Sequence, residues 1–465
     1  MNKFIEAMSV KDAYTFNGAL TNSTTLNACL DLFFLAGACR NETVKNIENK
    51  IALAINENKQ KALKIIFWAG DIRQGAGERR FFKIALNWLN RNEQEELNKY
   101  IINIPELSRW DVLFELDNAK ILDFVCEILK AENDSRTNLL CKWLPRKNQY
   151  NNLAQKIQRK LNLTPRQYRK LIVAKTKVVE QQMCKKDWEN IKYEHVPSVA
   201  MNKYRKAWYR NDEERFTNYV EAVKEGKAKI NASVIFPHDI VKNSVSGWGT
   251  SPLLDSQVAQ WNNLPNYLEG KENSIIPVCD VSGSMNGLPI CISVGLGLYI
   301  SERNTGAFKD AFITFSSNPT MQYLTGDINK RLRQLASSDW GMNTDLNKVF
   351  TLILQKAIEN QLSPFEIPQT ILVISDMEFD CAGGGRTNFE AIKALYQKFS
   401  YPMPKIVFWN VNGRAGNCPI TMRDENVALI SGASPSIIKS VLTADINPIS
   451  IMNKTIESER YAFIN

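Results

Sequence analysis

"PVCDVSGSM" occupies residues 277–285, after a polar stretch and before a Gly-rich apolar run. It completes the apolar segment "SIIPV" (274–278), and then Asp280, Ser282 and Ser284 fall at alternate positions. Side-chain oxygens at that spacing can turn toward one point, where they either hold a hard cation or cap a following helix. Which applies depends on what the fold brings beside them.

From residue 272 onward, short apolar runs alternate with helical patterns. The runs are "SIIPV", "AFITF" (311–315), "TILVIS" (370–375), "KIVFWNV" (405–411) and "VALIS" (427–431). Between them, Leu346, Val349, Phe350 and Ile353 share a helical face, and "FEAIKALYQKF" (389–399) reads as another helix. Buried strands alternating with helices specify an α/β, doubly wound, Rossmann-like parallel sheet, whose ligands bind at the carboxyl ends of the strands. The motif at 280–284 lies at such an end. Two more oxygen donors stand at corresponding places: Thr344 in "GMNTDL" (341–346) precedes a helix, and Asp376 in "VISDMEF" (373–379) follows a very apolar strand. Two carboxylates and three hydroxyls, completed by water, are an oxygen set that Mg²⁺ or Mn²⁺ accepts. With only His195 and His238 in the chain, zinc and a His-based triad have almost no material.

The first 270 residues read differently. From about 25 to 265 the apolar spacing is helical: Val44, Ile47 and Ile51, then Phe81, Ala85, Trp88 and Leu89, then Ile121, Val125, Ile128 and Leu129. Thr164-Pro165 predicts an N-cap with proline in the first turn. Helix pairs joined by short turns suggest a HEAT-like solenoid without a clean repeat period, against a compact irregular helical domain. Of the 58 basic and 49 acidic residues, 271–465 hold 17 and 18, so 1–270 hold 41 and 31 and carry a net of +10. Charge alone leaves two readings open, a polyanion partner or a solvated Lys-rich helical surface. The nine cysteines form no C-x-x-C pair and several lie in apolar runs, the usage of a reducing compartment. No signal core or membrane-length apolar run is present, so the expectation is a soluble, cytoplasmic protein without a membrane partner.

D-x-S-x-S with a Thr and an Asp from two further loops resembles the metal-ion-dependent adhesion site (MIDAS) of von Willebrand factor A domains. The resemblance implies a site in which Asp280, Ser282, Ser284, Thr344 and Asp376 hold the ion and one coordination position takes a partner's carboxylate. Upstream, "NGALTNSTTLNACLDLFFLAGACR" (17–40), "FWAGDIRQGAGERRFF" (67–82), "SRWDVLF" (108–114), "KWLPRK" (142–147) and "WENIKYEHVPSVAMNKYRKAWYRNDEERF" (188–216) resemble the helical TROVE module. Together these look like the architecture of the Ro ribonucleoproteins, nearest to a TROVE-related family of viruses, bacteria and plants. The resemblance implies a TROVE-like ring or horseshoe of helical repeats over 1–270, closed by an A domain over 271–465. It also implies RNA, with single-stranded ends in a central hole and structured RNA on the outer basic face.

The residues themselves offer cations beside aromatics, which suit single-stranded RNA because phosphates need charge and splayed bases need stacking faces. The candidates are Arg73, Arg79 and Arg80; Lys142, Arg146 and Lys147 beside Trp143; and Arg166, Arg169 and Lys170 around Tyr168. Arg109 joins them from "SRWDVLF", and "YRKAWYR" (204–210) is of the same kind. Nucleotide-loop chemistry is disfavoured because "GAGERR" lacks the G-x-x-x-x-G-K-[ST] pattern, and hydrolysis because "DVSGSM" is no nucleophile elbow. The expectation is a non-catalytic RNA-binding protein with a divalent cation in its A domain. It would serve RNA quality control, stabilisation or tethering to an effector. The rival expectation is an adhesion or assembly module, such as a viral structural component, that grips a partner protein's carboxylate without RNA.

Overall fold

The computed structural model describes residues 12–146, 151–246, 249–269, 274–315, 318–338, 344–382, 384–442 and 446–465. Lys147 lies outside them.

The helical reading of the first part holds. Helices Ala28–Ala36, Val44–Glu57, Lys59–Gly70, Arg79–Asn92 and Ala119–Lys130 bury the expected faces, with Ile47, Ile51, Phe81, Ala85, Leu89, Ile121 and Val125 inside. Val44 is exposed, since it opens its helix directly after the cap Thr43. Thr164 caps Pro165–Lys175 with a full capping box: its side chain accepts from the Gln167 N–H, and the Gln167 side chain accepts from the Thr164 N–H. Four two-residue strands, absent from the sequence reading, punctuate this part: β1 (Ala13–Tyr14), β2 (Leu20–Thr21), β3 (Val245–Ser246) and β4 (Gly249–Thr250). Segments that short carry no alternation to read.

The second part contains β5 (Ile275–Cys279), β6 (Ala311–Thr314), β7 (Met321–Tyr323), β8 (Thr370–Ser375), β9 (Lys405–Asn410) and β10 (Val427–Ser431). They form one sheet in the order β10-β9-β8-β5-β6-β7, parallel except for β7, which pairs antiparallel with β6 at the edge. β7 escaped the sequence reading because its residues are largely exposed and form no apolar run. Every residue of β5, β8 and β10 is buried, so both faces of the sheet are covered, as continuous apolar strands require. From β5 the chain turns to β6 on one side, while β8 lies on the other. The carboxyl ends of β5 and β8 are therefore a topological switch point, where such sheets leave a crevice.

One continuous apolar core joins the two parts. Helix Ala28–Ala36 ends against β10: a Cβ at Gly37 would stand 2.6 Å from the Ser431 backbone, so only glycine fits. The Ser431 hydroxyl donates to the Phe33 carbonyl at 2.7 Å and accepts from the Gly37 N–H at 3.1 Å. The termini cross over. Residues 13–22 lie along the α/β part, and the last residues return to the helices, where Arg460 and Tyr461 meet the fully buried Asp71. A second, smaller core surrounds Tyr193, Trp208, Phe216 and Val220.

Seven of the nine cysteines are buried, as small core residues would be. His238 is also buried, its backbone 2.8 Å from where a Gly295 Cβ would sit, and its Nδ1 meets no partner among the described residues. Burial outweighs the nearby Asp239 and, with Arg40 and Lys242 also close, lowers its pKa from 6.5 to about 4. The neutral ring is thus the folded form, and its contribution is present above pH 6.5 and lost as pH falls toward 4. The loss is on the order of 3 kcal/mol. Chemical denaturation at pH 7 and pH 4.5 should show a smaller acid loss in His238→Gln than in the wild type; equal losses would remove His238 as a cause.

Candidate cation site and nucleic-acid interface

Asp280 follows β5 and Asp376 follows β8, so both carboxylates stand at the switch point. Neither is open to solvent, at 0% and 2% exposure, which excludes them as ordinary surface charges. The Asp280 carboxylate accepts from the Ser282 N–H at 2.9 Å and from the Ser375 hydroxyl at 2.6 Å. The Ser282 and Ser284 hydroxyls lie 3.1 Å apart, and Ser284 also hydrogen-bonds Asp376. Burial, then the facing Asp376, pushes Asp280 up to about 6, and burial raises Asp376 as well. Two buried carboxylates that repel each other, lined by hydroxyls, fit a dication, which would offset both charges. The helix-cap alternative does not hold. Helix Leu288–Arg303 starts after Gly287, and neither serine caps it.

Thr344 stands just ahead of helix Leu346–Glu359, and its hydrogen bonds go to residues 378 and 380, beyond Asp376, and to Asn17. It is buried, and its hydroxyl donates to the Glu378 carbonyl at 2.8 Å or to Asp380 at 3.2 Å. Asp380 also accepts from the Thr344 N–H at 2.9 Å. Glu378 accepts an N–H from Phe16 and sits 3.6 Å from Arg414. Glu378 and Asp380 therefore orient the loops around the site. Sequence reasoning missed Ser375, Asn17 and this orienting role. Ser375 stood beside Asp376 as a possible signal, whereas nothing local pointed to Asn17. Among the described residues no group of three or more His, Cys, Asp or Glu converges as a metal cluster.

The basic candidates divide. Arg80 donates to the Cys39 and Glu42 carbonyls, and Arg73 to the Glu106 carbonyl, so both tie helix ends together. Arg79 pairs with Asp111 at 2.6 Å. Arg109 grips the same carboxylate with two nitrogens at 3.0 Å and lies over the Trp143 ring, 3.9 Å from its centroid. Lys142 pairs with Glu180 at 2.8 Å. Arg146, Arg166, Arg169 and Lys170 are exposed. In "YRKAWYR", Arg205 is buried against Asn202.

Between the large core and the small one, where helix Pro165–Lys175 faces helix Ser198–Asn211, the fold leaves a cleft of about 1350 Å³. Arg109, Lys142, Lys177, Lys185, Lys192 and Lys203 line it, against the acids Glu180, Asp187 and Asp239. Trp143, Tyr204 and Phe236 supply aromatic surface. Of the predicted cations among the described residues, the fold brings only Arg109 and Lys142 here. Lys177, Lys185, Lys192 and Lys203 were not singled out, because they are spread over the sequence without a motif.

The fold and its sites define a helical, basic protein continuous with a mostly parallel α/β domain that carries a hydroxyl-and-carboxylate site. The chain belongs to the family described as "Domain of unknown function (DUF2828)", which it matches over residues 15–124 and 117–273. A second description, "Domain of unknown function (DUF7788)", matches residues 274–460. An uncharacterised protein of Acanthamoeba polyphaga mimivirus is 27% identical over 504 aligned residues, covering 96% of this chain and 87% of the viral one. Among solved structures, the Ro (RSR) protein of Deinococcus radiodurans is similar with a TM-score of 0.35 and 14% identity, over 88% of this chain and 90% of that one. Among the described residues, no helix is long and apolar enough to cross a membrane.

Proposed function

We propose that this is a non-catalytic, Ro-like cytoplasmic RNA-binding protein that holds single-stranded RNA in the cleft between its two helical cores. The observation that carries the reading is the cleft itself: six cations against three acids, with the Arg109 guanidinium already stacked on Trp143. Phosphates meet the lysines and unstacked bases meet the aromatics. The exposed Arg146, Arg166, Arg169 and Lys170 extend the basic surface for structured RNA. The HEAT-like ring belongs to the same proposal, as does the role in RNA quality control, stabilisation or tethering.

Asp280, Ser282, Ser284, Thr344 and Asp376 are proposed to hold Mg²⁺ or Mn²⁺. The ion would supply a coordination position for a partner's carboxylate. The chain's own part is to bury the two aspartates, and Ser375 and the Ser282 N–H orient Asp280 for that task. Tyr14 and Phe16, 71% and 79% exposed on the segment that contacts the Thr344 loop, favour a second reading, assembly with a protein partner without RNA.

Filter binding of the full-length protein to a single-stranded oligoribonucleotide separates the two. Affinity should fall steeply with salt, and the pair Lys185→Glu with Lys192→Glu should flatten the log–log slope by about 1.4, the share of two single-strand phosphate contacts. RNA that is not retained even at low salt would leave only the assembly reading, and an unchanged slope would remove the cleft.

A further inference from the structure

The loop that follows β9 runs alongside the buried aspartates. Its first residue, Val411, donates its N–H to the Ser375 carbonyl at 3.1 Å, one residue before Asp376, and the Asn417 carboxamide donates to the Met377 carbonyl at 3.0 Å. Between these ends the helical part holds the main chain. The Gly413 N–H donates to the Ala38 carbonyl at 2.9 Å, and the Ala415 N–H to the Glu42 carboxylate at 2.7 Å. The Arg40 guanidinium adds a bond to the Val411 carbonyl at 3.2 Å. Arg414 is thus flanked on both sides by fixed main chain, and its side chain projects from a rigid frame.

That side chain is half-exposed and makes no hydrogen bond among the described residues. Its Nε stands 3.6 Å from the Glu378 carboxylate, beyond hydrogen-bond distance, and its guanidinium carbon lies 5.4 Å from the Phe16 ring centroid. Glu378 is buried, already accepts the Phe16 N–H, and donates its own N–H to the Asp376 carboxylate at 3.2 Å. Burial raises the Asp376 pKa, and Arg414 opposes this after the bonds from Ser284 and the Glu378 N–H. The guanidinium donors therefore stand beside Asp376 without an acceptor. The site opens on the same side: Asp280, Ser282 and Asp376 are buried, whereas Ser284, bonded to Asp376, is exposed with Gly283 next to it.

We infer that this opening docks a protein partner through one acidic side chain with an apolar flank. One carboxylate oxygen completes the ion, Arg414 donates to the other, and the flank covers the exposed rings of Phe16 and Tyr14. The inference rests on the cation-site reading above. A carboxylate presents two oxygens in one plane, which an ion and an arginine fork can share, and arginine beside aromatics is the composition of a protein interface core. A phosphate backbone suits the opening less. The dication cancels Asp280 and Asp376, and Arg414 cancels Glu378, so no surplus positive charge remains to draw a polyanion.

3-Phenylpropionate, a carboxylate with one aromatic ring, is the probe. In the full-length protein carrying Mn²⁺, the paramagnetic ion should broaden the probe's proton resonances, read against Asp280→Asn as the blank. The uncharged 3-phenylpropionamide should stay sharp. Arg414→Ala should bind the probe about tenfold more weakly, the size of one charge-assisted hydrogen bond, with Mn²⁺ affinity by electron paramagnetic resonance equal or tighter. Equal probe binding by Arg414→Ala, or a probe that bound Mn²⁺ does not broaden, overturns the inference and leaves the cation site standing. Displacement of the probe by an oligouridylate would give the opening to RNA and overturns it as well. A wild type that binds no Mn²⁺ overturns both readings.

Discussion

Asp280→Asn should lose stoichiometric Mn²⁺ binding, while its metal-free form should melt at a higher temperature than the wild type. The first effect follows from removing one of two carboxylates in a site whose remaining donors are neutral or the single Asp376. The second follows from burial. Asp280 and Asp376 repel each other without a solvent screen, and the amide keeps an acceptor for the Ser282 N–H. At a hundredfold excess over its dissociation constant, Mn²⁺ should stabilise the wild type by about 2.7 kcal/mol and the variant by nothing. Scanning calorimetry with and without Mn²⁺ reads both. A variant that melts lower and still gains stability from Mn²⁺ would place the ion elsewhere.

Asp71→Ala should be the most destabilising change in the chain outside the apolar core. Asp71 is fully buried and accepts from two nitrogens of Arg460, from the Tyr461 hydroxyl at 3.0 Å and from the Arg73 N–H at 2.9 Å. Removing it strands a cation and a buried phenol together, and breaking such a pair from one side costs about 3–5 kcal/mol. Phe463, packed edge-on to Phe67 and Tyr100, holds the same tail. Chemical denaturation of Asp71→Ala, Arg460→Ala and the double variant forms a cycle. The double variant should cost much less than the sum, because removing Arg460 also removes the stranded charge. Additive losses would show that the two residues do not act as a pair.

The α/β half was legible because its rules are local. A strand covered on both faces must be apolar throughout, so "TILVIS" and "VALIS" coincide with β8 and β10 residue for residue. Ligand residues of such a sheet fall just past strand ends, which put Asp280 and Asp376 within reach of sequence reasoning. Basic clusters were a poorer guide. Arg80 lies in the most conspicuous of them, yet its guanidinium holds the end of a neighbouring helix, because buried carbonyls compete for cations as well as phosphates do.

By itself the sequence determined two things. The switch from a 3.6-residue to a strand-like apolar texture near residue 270 set the two architectures, and the alternate oxygens of 280–284 placed a polar site at a strand end. Only the tertiary structure decided which cations share a cleft and what lies against Thr344. Lys177, Lys185, Lys192 and Lys203 converge because two apolar cores fail to merge there, and Asn17 reaches Thr344 across 327 residues. Hydrogen bonds and charge clusters made at such separation leave no periodicity in the chain, since any polar residue at either end would read the same until the fold closes.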